Sequence, residues 1–138
     1  MRGFRVYDKI KKVMISTPSE ANLFLAGNGN IVDIVHIDFY LMDRYVRMDS
    51  IGLLDKQRKE IYEGDIVAFD RDGKDYWKEL YEIRYSPYRA CWQLFLLRRS
   101  NHGNSPQYIS NAFTQGEADT IEVIGNIKEN PELVGGLT

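Results

Sequence analysis

Residues 59–74 read KEIYEGDIVAFDRDGK, an apolar step broken by Gly64-Asp65, then four consecutive apolar residues from Ile66 to Phe69, then a second turn signal at Asp72-Gly73. Two readings compete for the Gly-Asp pair. In one it is a turn that launches a β-strand; in the other Glu60, Glu63, Asp65, Asp70 and Asp72 form an acidic cluster that holds a metal. Gly64 can adopt backbone angles that a Cβ disfavours, and Asp65 can accept a hydrogen bond from a backbone N–H two residues on, so the pair sets the direction of the following strand. A hard cation needs carboxylates that converge on one point. Here three acids precede the strand and two end it about 15 Å away, at ~3.3 Å per residue. The sequence therefore favours a turn with solvated acids over a metal site.

Outward from that strand, short apolar alternation punctuated by turn residues predicts a β-rich chain, with no long helical stripe anywhere. FRVYD and VMIS around KIKK predict a first hairpin at 4–16. LFLA, GNGN (27–30) and IVDIVHID predict a second, since Gly and Asn accept the positive φ of tight turns. FYLMDRYVRM is ambiguous, with strand favoured for its latter half by Tyr45 and Val46. After RDGK (71–74), YWKELYEIRY alternates, placing Trp77, Tyr81, Ile83 and Tyr85 on one face and Lys78, Glu82 and Arg84 on the other. SPYRA turns the chain into CWQLFLLR, which is apolar enough to be buried on both faces. A polar loop at 98–107, strands at YISNAF and TIEVIGNI, and a closing turn at ENPELV complete the pattern. About eight strands with turn signals every eight to twelve residues favour a barrel or a sandwich.

At 138 residues the chain suits one domain, or a domain with a small extension, burying roughly two-thirds of its unfolded surface. Cys91 is the single cysteine, so no internal disulfide is expected. The start of the chain lacks the apolar core of a signal peptide and no run is long enough to span a membrane, which predicts a soluble cytoplasmic protein with no membrane partner. The net charge of −2 gives no global attraction for nucleic acid, but its distribution is uneven. Arg2, Arg5, Lys9, Lys11 and Lys12 against Asp8 make the N-terminal end basic. Glu117, Asp119, Glu122, Glu129 and Glu132 against Lys128 make the C-terminal end acidic. Ends of opposite sign could attract within one chain or between two.

Three segments carry a resemblance. FRVYDKIKKVMI, MDSIGLLDKQRKEIYEGDIVAF and IEVIGNIKENPEL resemble, in order and over nearly the whole chain, the segments that mark the YopX family of bacteriophage and prophage proteins. The resemblance implies a mainly β protein with a small SH3-type barrel in its C-terminal portion, entered by the EGD turn, and an N-terminal β-hairpin extension. The corresponding division is 1–44 for the extension, 45–134 for the barrel and 135–138 for a flexible tail. It implies a bacterial host cell, and no catalytic residues, because the family has no established activity. Two departures stand out. Gln57-Arg58 replaces the usual Asn-Gly turn, and since neither residue takes positive φ cheaply, that turn is expected to be longer, looser or of another type. Lys128 stands where the family often has an aromatic residue.

The candidate sites divide into weak catalytic signals and a stronger binding signal. His36 in a strand and His102 in a loop have no sequence-local partner for nucleophilic catalysis, and Cys91 at the start of an apolar strand reads as a buried, inert thiol. GNGN lacks the lysine and the strand-to-helix context of a phosphate loop, so no cofactor is expected. Between Lys74 and Arg99, by contrast, Lys74, Lys78, Arg84, Arg89, Arg98 and Arg99 are interleaved with aromatic residues. Small barrels use this mix to stack bases and track phosphates, and also simply to fold. Arg84, Tyr88, Arg89, Arg98 and Arg99 are the candidate contacts for single-stranded nucleic acid or a host protein. A homodimer is a further expectation, with Phe4, Val6, Val13 and Ile15 of the first hairpin needing an apolar partner. The expected role is a non-catalytic binding or accessory protein.

Overall fold

The computed structural model describes residues 3–21, 23–25, 31–33, 44–70, 78–88, 90–99 and 114–134. The chain divides into two compact units, Met1–Ser50 and Ile51–Thr138.

In the first unit, β1 (Phe4–Asp8) and β2 (Val13–Ile15) form the predicted hairpin, with Val6 opposite Ile15 and Asp8 opposite Val13. The other edge of β1 is taken by the first half of β5 (Tyr45–Leu54), antiparallel from Phe4↔Asp49 to Asp8↔Tyr45. Part of the hairpin's need for a partner is thus met within its own unit, where Val6 is fully buried and Tyr7 and Met48 nearly so. Ile10 and Val13 remain exposed. β3 (Leu23–Leu25) and β4 (Ile31–Asp33) form the second predicted hairpin, whose Gly-Asn turn lies outside the described residues.

Asp8 fixes the first turn. Its Oδ1 accepts hydrogen bonds from the backbone N–H groups of Ile10 and Lys11, and both carboxylate oxygens accept from the Arg44 guanidinium at 2.9 and 2.8 Å. Such a two-pronged, charge-assisted contact is among the stronger polar interactions a fold can use.

The second unit begins inside β5, where Gly52 has φ 80°. The 55–59 turn joins β5 to β6 (Glu60–Tyr62), and the chain then passes through Gly64 into β7 (Asp65–Asp70). β7 pairs with β8 (Lys78–Ser86), β8 with β9 (Cys91–Arg99), and β10 (Ile121–Asn126) returns along the free side of β7. The resulting antiparallel order is β10-β7-β8-β9. RDGK, YISNAF and the 98–107 loop beyond Arg99 fall outside the described residues.

This sheet is buried on both faces. One face carries Val67, Tyr81, Ile83, Leu94 and Leu96 into a cluster with Ile51 and Ile61. The other carries Ile66, Ala68, Leu80 and Leu97 against Ile127, Leu133 and Val134 of the C-terminal segment. The expectation for β9 therefore holds, whereas the polar face expected for β8 does not. Leu80 joins the second cluster and Glu82 is buried. Alternation along one strand could not reveal that a 3₁₀ turn, Pro131–Leu133, would cover that face. A bulge between Tyr81↔Leu96 and Leu80↔Arg98 leaves Leu97 as the extra residue in β9, and the ordinary alternation of the strand sends Leu96 to the larger core and Leu97 to the smaller.

A short α-helical turn was not expected. α1 (Gln115–Ala118) is a single turn capped by Thr114, whose Oγ1 accepts from the Glu117 N–H. The spacing of Thr114 and Glu117 is a capping signature visible in the sequence. The Gln115 side-chain amide donates to the Leu54 carbonyl and its oxygen accepts from the Leu54 N–H, so one side chain pairs with the β5 backbone as a strand would.

The 55–59 turn corrects another expectation. It is short and tight, with the Arg58 N–H on the Asp55 carbonyl and the Asp55 N–H on the Lys59 carbonyl, and Arg58 itself takes φ 65°. The strain is tolerated because the Asp55 carboxylate accepts from both the Gln57 and Lys59 N–H groups.

Asp8 gives the fold a measurable pH dependence. The Arg44 guanidinium, helped by the two turn amides and opposed by desolvation, holds the Asp8 carboxyl down at about 2 instead of 3.8. A depressed carboxyl pKa adds stability above its unfolded value, and that stability is lost as the pH falls through its folded value. Asp8→Asn should therefore destabilise by on the order of 2 kcal/mol at pH 6. The gap to the unsubstituted protein should close between about pH 4 and 2, as read by denaturant unfolding at each pH.

Candidate binding surface

β8 and β9 form a long hairpin whose last pair is Ser86↔Cys91, with Ala90 at φ 50° in the connection. Positive φ at alanine is uncommon, and the turn keeps it without glycine's freedom. Near this tip the larger core face runs out of cover. Ile83 is fully buried, but the next residue on that face, Tyr85, is 47 % exposed. Its ring meets the cross-strand Trp92 edge-on, with centroids 5.2 Å apart and planes at 65°. Trp92 packs against the core beneath, so it anchors Tyr85 while leaving much of that ring in solvent. Beyond them Tyr88 is 98 % exposed.

The aromatic-basic segment thus separates into parts that fold and a part that faces outward. Tyr81 belongs to the core, its hydroxyl donating to the buried Glu79 carboxylate. Arg84 pairs with Glu82 at 3.0 Å and lies with its guanidinium carbon 3.7 Å from the centre of the Phe95 ring. Its flat cation therefore shields an aromatic side chain on the face opposite Tyr85. Arg98 and Arg99 sit on β9 opposite Leu80 and Glu79, at the far end of the hairpin from Tyr88. Arg89 lies outside the described residues, as do Lys74, Tyr76 and Trp77.

The Gly-Asp pair is built into the fold. Gly64 has φ 82°, donates its N–H to the Ile83 carbonyl and accepts at its own carbonyl from the Ile127 N–H. Asp65 is fully buried, and its Oδ2 accepts from the Tyr62 N–H, three residues back instead of two ahead. The picture of a solvated acid is corrected at this residue. Glu60 remains at the surface and accepts from the Tyr62 hydroxyl. Among the described residues no three His, Cys, Asp or Glu side chains come together as metal ligands would. Cys91 is half-buried, not buried as expected, because β9 begins at the exposed tip. His36, His102 and Asp72 lie outside the described residues. No helix among them is long and apolar enough to cross a membrane.

A family model described as YopX protein matches residues 3–135. Among solved structures the chain is similar to the crystal structure of protein EF1440 from Enterococcus faecalis, at 28 % identity and a TM-score of 0.60, over 97 % of this chain and 98 % of that one. No curated protein matches the chain.

The division between core and outward-facing aromatic residues can be tested by thermal melts. Tyr88→Ser should change stability by less than about 0.5 kcal/mol, whereas Trp92→Ala should cost roughly 2 kcal/mol or more through lost packing. A large loss from Tyr88→Ser would mean that the ring serves the fold after all.

Proposed function

Because this chain belongs to the YopX family, we propose that it is a non-catalytic binding or accessory protein of bacteriophage or prophage origin, acting in the cytoplasm of a bacterial host. In this reading the second unit is a small SH3-type barrel that presents the β8–β9 tip to a partner. One observation carries it: a tyrosine 98 % exposed beside another 47 % exposed, at the end of a hairpin whose other described large apolar side chains pack into the two cores. Exposed aromatic residues that contribute nothing to the core are common anchors of recognition surfaces, since they offer large contact area at little conformational cost. Fold alone does not assign a role, and the reading rests on the tip.

Photocrosslinking tests this in the intact protein. A benzophenone amino acid placed at position 88 should give a discrete adduct in bacterial cells that express the chain. The same group at the exposed Glu132 should not. Equal labelling at both positions, or none at 88, would contradict a binding role for the tip.

A further inference from the structure

The β1–β2 turn breaks two local rules at once. Lys12 takes φ 57°, a region that residues other than glycine occupy only at a cost. Ile10, at the apex, is 60 % exposed, more than any other large aliphatic side chain among the described residues. The turn is nonetheless firmly held. The Lys12 N–H donates to the Asp8 carbonyl, the Ile10 and Lys11 N–H groups donate to the Asp8 carboxylate, and the Lys9 N–H donates to the Arg44 carbonyl. A local conflict that the surrounding structure sustains marks a functional segment more often than a structural one. The charge is equally one-sided. Lys9, Lys11 and Lys12 are exposed, and their ammonium groups are in no ion pair with a described residue. Asp8, the one acid between residues 3 and 19, is buried and already neutralised by Arg44.

A partner for this tip must offer closely spaced anionic charge and apolar surface within reach of one aliphatic side chain. An anionic bilayer has both, but stable anchoring takes more apolar insertion than Ile10 and the partly exposed Val13 provide. An acidic peptide answers the lysines alone. Duplex DNA answers both, because phosphate rows flank its minor groove, about 6 Å wide, and aliphatic wedges between cations enter that groove at the base steps. We propose that the β1–β2 tip binds duplex DNA, with Lys9, Lys11 and Lys12 on backbone phosphates beside the minor groove and Ile10 within it. The surface lies in the first unit and uses none of the residues of the β8–β9 tip, so it goes beyond the binding role assigned there. Arg44 is a positioning residue: its guanidinium is engaged with Asp8, the side chain that shapes the turn.

The experiment is a fluorescence-anisotropy titration of the full chain into a short fluorescein-labelled DNA duplex. Binding at low salt is expected, and three phosphate contacts should give log K a slope of about −2.7 against log salt, a weakening of roughly fortyfold between about 50 and 200 mM. Lys9→Gln with Lys11→Gln should bring that slope to about −0.9. Ile10→Ser should weaken binding by about fivefold or more with the slope unchanged, and Ile10→Leu should restore it. Distamycin, which occupies the minor groove, should displace the protein. These side chains are exposed, so the variants should melt with the unsubstituted protein. The proposal is overturned by absence of binding at low salt, by a slope indifferent to the lysine substitutions, by indifference to Ile10→Ser, or by equal affinity for single-stranded oligo-dT. Flotation of the chain with phosphatidylglycerol vesicles in the absence of duplex binding would also overturn it and assign the tip to a membrane surface.

Discussion

The carboxylate of Asp55 receives hydrogen bonds from two distant parts of the second unit. Its Oδ1 accepts from the Gln57 and Lys59 N–H groups at 2.8 Å each, and its Oδ2 accepts from the Val123 N–H at 2.9 Å, 68 residues further along the chain. The side chain is buried. A carboxylate taken out of water must be compensated by donors, and three backbone amides provide that compensation. One oxygen therefore closes the strained turn in which Arg58 takes positive φ, while the other anchors β10 beside it. The Lys56 N–H on the Ile121 carbonyl adds a second bond between the same two places. The anchor thus ties β10, already paired with β7, to the turn beside it, and Ile121 and Val123 share the larger core with Ile51 and Ile61.

A second clasp works on the opposite side of the sheet. Asn126 accepts from the Lys128 and Glu129 N–H groups, and its own N–H donates to the Asn130 side chain. A Cβ on Gly125 would lie 2.4 Å from the Asn130 Oδ1, so the close approach of that side chain requires glycine. These contacts turn the chain under the sheet, where Leu133 and Val134 cover the smaller core. Lys128 takes part through its backbone N–H, which any residue but proline supplies. That is why the turn stands with Lys128 in a position the family often fills with an aromatic residue.

Much of this architecture was legible in the sequence, and what was not has a common cause. Both N-terminal hairpins, the break at Gly64 and the two-faced burial of β9 follow from apolar patterning and turn chemistry, which are local. Asp55 was read only as one letter of LLDKQRKEIYEGD, because its decisive partner, Val123, is remote in sequence. Asp65 reads as a surface acid because nothing in its local sequence shows that the sheet buries it, although its hydrogen-bond partner, the Tyr62 N–H, is only three residues away. The sequence groups Glu82 with Lys78 and Arg84 on a polar face, whereas Leu80 on that face is covered by Leu133 and Val134, about 50 residues later. At the candidate surface the aromatic residues are visible in the sequence, but separating Tyr81 in the core from Tyr85 and Tyr88 outside needs the point at which the sheet outruns its cover. Arg84, a candidate contact in the sequence, covers Phe95 and pairs with Glu82 in the structure.

The larger core depends on the Asp55 clasp, which ties β10 to the 55–59 turn, and the β8–β9 hairpin packs into that same core. Amide hydrogen exchange combined with denaturant unfolding of Asp55→Ala tests that dependence most directly. The account predicts a loss of about 3 kcal/mol or more, with the amides of Gln57, Lys59 and Val123 losing protection together. Wild-type stability, or a Val123 amide that stays protected while the turn amides open, would contradict it.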